Sequence, residues 1–114
     1  TIGDAVMMVA PDADCLAGAA LDLVEAARGA GLPPLRAGIA WGSAMHSSGD
    51  WFGRPVNLAS RVVAVTPAHE VLVTREFFDQ LDTDGFWCEP AGAHHLKGLD
   101  LPQELFAIGR RQVA

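Results

Sequence analysis

The sequence is poor in cysteine and in positive charge, and it has no apolar stretch long enough to cross a membrane. Its two cysteines, Cys15 and Cys88, form neither a metal-ligand pattern nor a disulfide framework, which suits a reducing cytosol. Each reads as a small core residue rather than a reactive thiol. Eight Lys and Arg stand against fourteen Asp and Glu, a formal charge of −6, and this excludes non-specific nucleic-acid binding through a basic surface. A single nucleotide remains admissible, because the side chains and metal ions of a site set its local field, not the net charge. No run of about eighteen apolar residues occurs and no signal peptide opens the chain, so the expected location is cytoplasmic. Internal repeats and low-complexity segments are absent as well.

What is there is a chain of 114 residues, 50% apolar, which makes one domain or part of one with enough apolar mass for a sizeable core. Thr1-Ile-Gly-Asp reads as the middle of a strand, so the expectation is a fragment that lacks its first strand and helices. Ile2–Ala10 reads as a hairpin turning at Gly3-Asp4, with Ala5–Ala10 as a central strand buried on both faces. Pro11–Asp14 offers a helix N-cap, and the helix runs to Arg28, closed by Gly29, with Leu16, Ala20, Leu23, Val24 and Ala27 inward. Leu35–Trp41 reads as a strand whose glycine, Gly38, signals close approach of another backbone. Gly42–Gly49 is a polar connection carrying a solvated His46. His69–Thr74 is a strand, Thr74 caps a short helix Arg75–Leu81, and a turn at Asp82–Gly85 leads to a last strand pair ending at Gln103–Ile108. His94 and His95 are adjacent, so on a strand they point to opposite faces and cannot share a metal. The fold class expected is α+β, with helices covering a largely antiparallel sheet.

The stretch Gly49–Arg61, Gly-Asp-Trp-Phe-Gly-Arg-Pro-Val-Asn-Leu-Ala-Ser-Arg, concentrates the chemistry. Gly53 supplies a turn, Pro55 suits the first helical position, and the helix from Val56 ends before Pro67. Asn57 and Arg61 lie four apart and project from one face, an amide and a guanidinium suited to a phosphate. Asp50, just before the turn, can accept hydrogen bonds from an amino-bearing ring. Taken alone, the same residues also fit a solvated helix face and ordinary turn chemistry.

Asp50–Arg61 resembles the signature helix of class III nucleotidyl cyclases, and two further motifs agree in order: Thr1-Ile-Gly-Asp-Ala-Val-Met and His95-Leu-Lys-Gly-Leu-Asp-Leu-Pro. The likeness covers almost the whole chain and is greatest to bacterial adenylyl cyclases in which two identical domains pair. It implies a ferredoxin-like cyclase core and the conversion of ATP to 3′,5′-cyclic AMP and pyrophosphate. By resemblance, Arg61 stabilises the transition state, Asn57 orients the ribose, Asp50 reads the purine, Lys97 neutralises phosphate and Asp4 is a ligand of a Mg²⁺ or Mn²⁺ pair.

The family's purine-reading lysine and its second metal aspartate belong upstream of Thr1, so the 114 residues alone are expected to be inactive. The longer hairpin arm common in the family is short here, at Gly42–Gly49. The partner expected is an identical subunit, with each site shared between the two. A guanylate cyclase and a non-catalytic cyclase-homology domain for dimerisation or nucleotide sensing are the alternatives. A diguanylate cyclase is disfavoured, since no Gly-Gly-Asp/Glu-Glu-Phe turn occurs.

Overall fold

The computed structural model describes residues 6–111. Asp12 starts α1 (Ala13–Gly29): its carboxylate accepts from the amides of Asp14 at 3.0 Å and Cys15 at 3.5 Å. The helix ends in a Schellman turn, with the Leu32 amide donating to the Ala27 carbonyl at 3.0 Å and the Gly31 amide to Arg28 at 3.2 Å. The left-handed residue of that turn is Gly31, at φ 69°, two positions beyond the glycine expected to close the helix. Ala13, Ala17, Ala20, Val24 and Ala27 form the buried stripe. Leu23, expected inward, is 48% exposed, because the helix meets the sheet through its small residues and position 23 lies to the side of their stripe. Cys15 also faces outward rather than into the core.

The main sheet has four strands in the order β1-β4-β6-β5. β1 (Ala37–Ile39) pairs in parallel with β4 (Val71–Thr74), while β4 with β6 (Gln103–Arg110) and β6 with β5 (Phe86–His94) are antiparallel. A separate two-stranded hairpin joins β2 (Met45–Ser47) to β3 (Asp50–Phe52). Its turn residues, Ser48 and Gly49, both have positive φ, 52° and 78°, as a tight hairpin matching the strand twist demands. The connection Gly42–Gly49 therefore contains a strand that its polar composition had hidden. The helices α2 (Arg54–Ala64) and α3 (Arg75–Phe78) complete the order. α3 starts at Thr74, whose hydroxyl accepts from the Phe77 amide at 3.3 Å, and it stops three residues short of the expected Leu81.

β4 is buried at every position and divides the core. Val71 and Val73 point to a cluster with α1, Phe77, Phe106 and Ile108; Leu72 points the other way, to Leu58 and Val62 of α2 with Leu105 and Leu96. Burial of each such large side chain is worth about 1.5–3 kcal/mol. The sheet is thus covered on both faces, and the mixed α+β class is as expected.

The segment 6–10 differs from expectation. It forms no strand, and Val6, Met7, Met8 and Val9 are exposed, Val6 to 88%. An apolar run becomes a buried central strand only where a sheet offers it a ladder, and among the described residues none pairs with it. The expected turn at Ile2–Asp4, with Ala5, lies outside the described residues.

Gly38 marks where α2 is seated: a Cβ there would stand 2.5 Å from the Val63 amide nitrogen and 2.9 Å from the Ala59 carbonyl oxygen. Gly38→Ala is expected to push the helix off the sheet and destabilise the domain by about 1–3 kcal/mol. Thermal unfolding should register this as a fall of roughly 5 °C per kcal/mol; an unchanged midpoint would mean that the helix can shift freely there.

Candidate active site

Three local features bring the site together. The first is the join between β3 and α2. Gly53 caps α2 at φ 137°, a conformation that L side chains rarely adopt, and a Cβ there would lie 3.3 Å from the Ser43 carbonyl oxygen. No side chain caps the helix, and no acidic residue stands in its first turn, so its leading amides remain open to an outside acceptor. The helix starts at Arg54, so Pro55 is its second residue rather than its first, still within the turn where a missing N–H goes unused.

The second feature is the seating of α2. Leu58 and Val62 anchor one face in the core, and the Thr66 hydroxyl fixes the far end by donating to the Val62 carbonyl at 2.8 Å. Asn57 and Arg61 flank that anchored stripe and are exposed, one turn apart. The third is the turn at Leu96–Leu99, where the Leu99 amide donates to the Leu96 carbonyl at 3.1 Å and Gly98 takes φ 84°. Leu96 is buried beside Leu58 and Val62, which pins the turn against α2 and leaves Lys97 projecting outward.

The result is an open cleft of about 650 Å³ between α2 and this turn, lined by Arg54, Asn57, Leu58 and Arg61 on one side and Lys97, Gly98 and Leu99 on the other. Its ionisable lining is entirely cationic. Among the described residues no carboxylate pairs with Arg54, Arg61 or Lys97: the ion pairs engage Arg28, Arg75 and Arg110 instead. A concentration of positive charge in a chain of formal charge −6 favours a multiply charged anion.

Of the residues singled out from sequence, Asn57, Arg61 and Lys97 meet at this cleft although the last lies 36 positions from Arg61 in the chain. Asp50 does not line it. Asp50 begins β3, exposed, and its carboxylate accepts from the Trp51 amide at 3.0 Å. Asp4 lies outside the described residues, and no group of three or more His, Cys, Asp or Glu able to hold a metal converges among those described. Arg54 was not singled out from sequence. Its signal was available, since it stands seven residues before Arg61, two helical turns, and so shares the same face.

The remaining reactive groups point elsewhere. His46, expected in a loop, is on β2 and packs on the Trp51 ring at 4.7 Å between centroids. His94 binds the Ala91 carbonyl through Nε2 at 2.8 Å. Burial pushes the Cys88 thiol above its ordinary range against the pull of Arg111, which keeps it protonated at neutral pH and a poor nucleophile. What the cleft presents is a set of exposed amide and cationic donors suited to an anion.

Residues 1–109 match the family model described as the adenylate and guanylate cyclase catalytic domain. A pH-sensitive adenylate cyclase of Mycobacterium tuberculosis is 44% identical over 115 residues, covering 96% of this chain and 29% of that protein. An adenylate cyclase of Streptomyces griseus is 43% identical over 86 residues, 75% of this chain and 22% of that protein. The chain thus spans less than a third of the length of these curated relatives. Among solved structures, the adenylate/guanylate cyclase/hydrolase of Silicibacter pomeroyi superposes with a TM-score of 0.69 at 22% identity, over 87% of this chain and 63% of that one, a likeness of fold. The chain belongs to the adenylate and guanylate cyclase catalytic domain family.

Proposed function

We propose that the protein carrying this domain is an adenylate cyclase, which turns ATP into 3′,5′-cyclic AMP and pyrophosphate at sites shared by two identical subunits. The observation that carries this is the convergence of Asn57, Arg61 and Lys97 on one cleft with no carboxylate opposing them among the described residues. The two relatives named adenylate cyclase, above 40% identical, support the choice of nucleotide.

In the reaction the ribose 3′-oxygen forms a bond to the α-phosphorus, the bond from that phosphorus to the bridging oxygen breaks, and pyrophosphate leaves, the hydroxyl proton passing through water to the pyrophosphate. Charge builds on the α-phosphoryl oxygens as this happens. Arg61 would stabilise that charge, being donor-only, permanently cationic and fixed on a helix whose other side is anchored in the core. Asn57, one turn earlier, would hold the ribose in line for attack. Lys97 would take the charge of the phosphates as a mobile point charge. Asp50 would accept from the adenine N6 amino group, and its acceptor-only carboxylate disfavours the O6 of guanine.

Asp4 would hold Mg²⁺ or Mn²⁺, oxygen-ligated ions that, when bound, neutralise phosphate charge and acidify the attacking hydroxyl. In the shared-site arrangement Asp4 of one subunit serves the Asn57–Arg61 face of its twin. The described residues have no helix long and apolar enough to cross a membrane, and both cysteines are free. Both facts accord with action in the cytoplasm.

Arg61→Ala in the full-length protein is expected to lower kcat about 10²–10³-fold, the usual effect of losing one transition-state donor, with a much smaller change in KM. A KM effect alone would remove Arg61 from the chemistry. Mixing Asp4→Ala with Arg61→Ala chains should restore roughly a quarter of wild-type activity, because half the dimers are mixed and each has one intact site of two. No recovery from re-associated chains would rule out shared sites. Wild-type protein assayed with both nucleotides should prefer ATP to GTP. A preference for GTP would identify a guanylate cyclase, and no product from either a non-catalytic homologue.

A further inference from the structure

We propose that Arg54 binds the purine–ribose end of the nucleotide, laying the flat face of its guanidinium against the base. This rests on the nucleotide reading above. Arg54 lines the same cleft as Asn57 and Arg61 and shares their helical face. Along α2 it precedes Asn57 by three residues and Arg61 by seven, so it stands about 4.5 Å before the first and about 10 Å before the second at 1.5 Å per residue. With the α-phosphate at Arg61 and the ribose at Asn57, the base end of the ligand extends toward the start of the helix, where Arg54 is.

Helix stability does not account for an arginine there. The first turn of a helix presents its amides and the positive end of its dipole, which favour acidic and oxygen-bearing side chains. α1 follows that rule with Asp12 and Asp14, and α3 with Thr74 and Glu76. α2 starts instead with Gly53, Arg54 and Pro55 and has no acidic residue in the turn. Among the described residues Arg54 has no carboxylate partner, so its guanidinium is free to engage a ligand. A planar guanidinium stacks on an aromatic face, which lysine cannot do, and purine rings offer such a face whichever base they belong to.

The test uses the full-length enzyme. Arg54→Ala should raise KM for ATP about three- to tenfold, in line with the loss of one planar stacking contact on the base at a partly exposed site, and leave kcat little changed. KM for GTP should rise by the same factor, since the base face does not distinguish the two purines. The slope of log KM against log salt concentration should fall less than it does in Lys97→Ala, because a nearby charge but no phosphate contact is lost. Arg54→Lys should restore little, and the melting temperature of Arg54→Ala should hold or rise as a cation leaves the first turn. Arg28→Ala, a charge removal on α1, should leave KM unaltered. An unchanged KM in Arg54→Ala, a salt slope reduced as far as in Lys97→Ala, or full rescue by lysine would each overturn the assignment. Wild-type protein that forms no cyclic nucleotide would defeat the function proposed above, a result distinct from an active wild type indifferent to Arg54.

Discussion

The contact of α2 with β1 at Gly38 is the constraint on which the site depends. A helix is ordinarily held off a strand by the side chains between them, but here the strand has only a hydrogen where the helix backbone passes. Val63 and Ala59 come within reach of Gly38 itself. Leu58 and Val62 then drop into the cluster formed by Leu72 and Leu105, and the rotation of the helix is fixed. Once that rotation is set, Asn57 and Arg61 have one possible direction, toward the turn that holds Lys97. The apolar side of α2 thus aims its polar side.

The same economy governs the turn opposite. Leu96 is the apolar residue that ties it down, and Lys97 follows directly, so one residue supplies the anchor and the next the charge. Gly98 lets the chain reverse with positive φ, which keeps the lysine at the tip rather than against the sheet. Charge in the cleft is therefore positioned by apolar contacts behind it, with no salt bridge to hold it among the described residues. That matters electrostatically, since a cation already paired with a carboxylate has little left to offer a ligand.

The parts of this arrangement that were legible in the sequence are those whose cause is local. Pro55 after Gly53 announced a helix start, the spacing of Asn57 and Arg61 announced a shared face, and Gly38 within an apolar strand announced a close approach. The parts that were not legible depend on what lies across space. Ala5–Ala10 has the composition of a buried strand, yet composition cannot supply a ladder partner. Leu23 and Cys15 follow helical periodicity only loosely, and α1 chose its alanines because small residues bring it nearer the sheet. β2 was hidden because exposed hairpin strands need no apolar alternation, only a turn such as Ser48-Gly49. Arg54 is marked in the sequence in a different way: a cation in a first turn contradicts helix preference, and such a contradiction is itself the signal.

The cationic residues of the cleft are all exposed, and this bears on how strongly they can act. In water an ion contact at 4 Å is worth about 1 kcal/mol, whereas at an effective dielectric near 20 it approaches about 4 kcal/mol. An open groove holding Arg61 and Lys97 in solvent is thus a weak receptor on its own. Its strength rises only when something closes over it, excludes water and leaves the cations facing the phosphates in a drier medium. An identical subunit placed over the groove, as proposed, would do both tasks at once, bringing Asp4 and removing the solvent. Catalytic power would then depend on assembly rather than on the isolated domain, and any signal that changed how the subunits sit together could control the rate without touching Asn57 or Arg61.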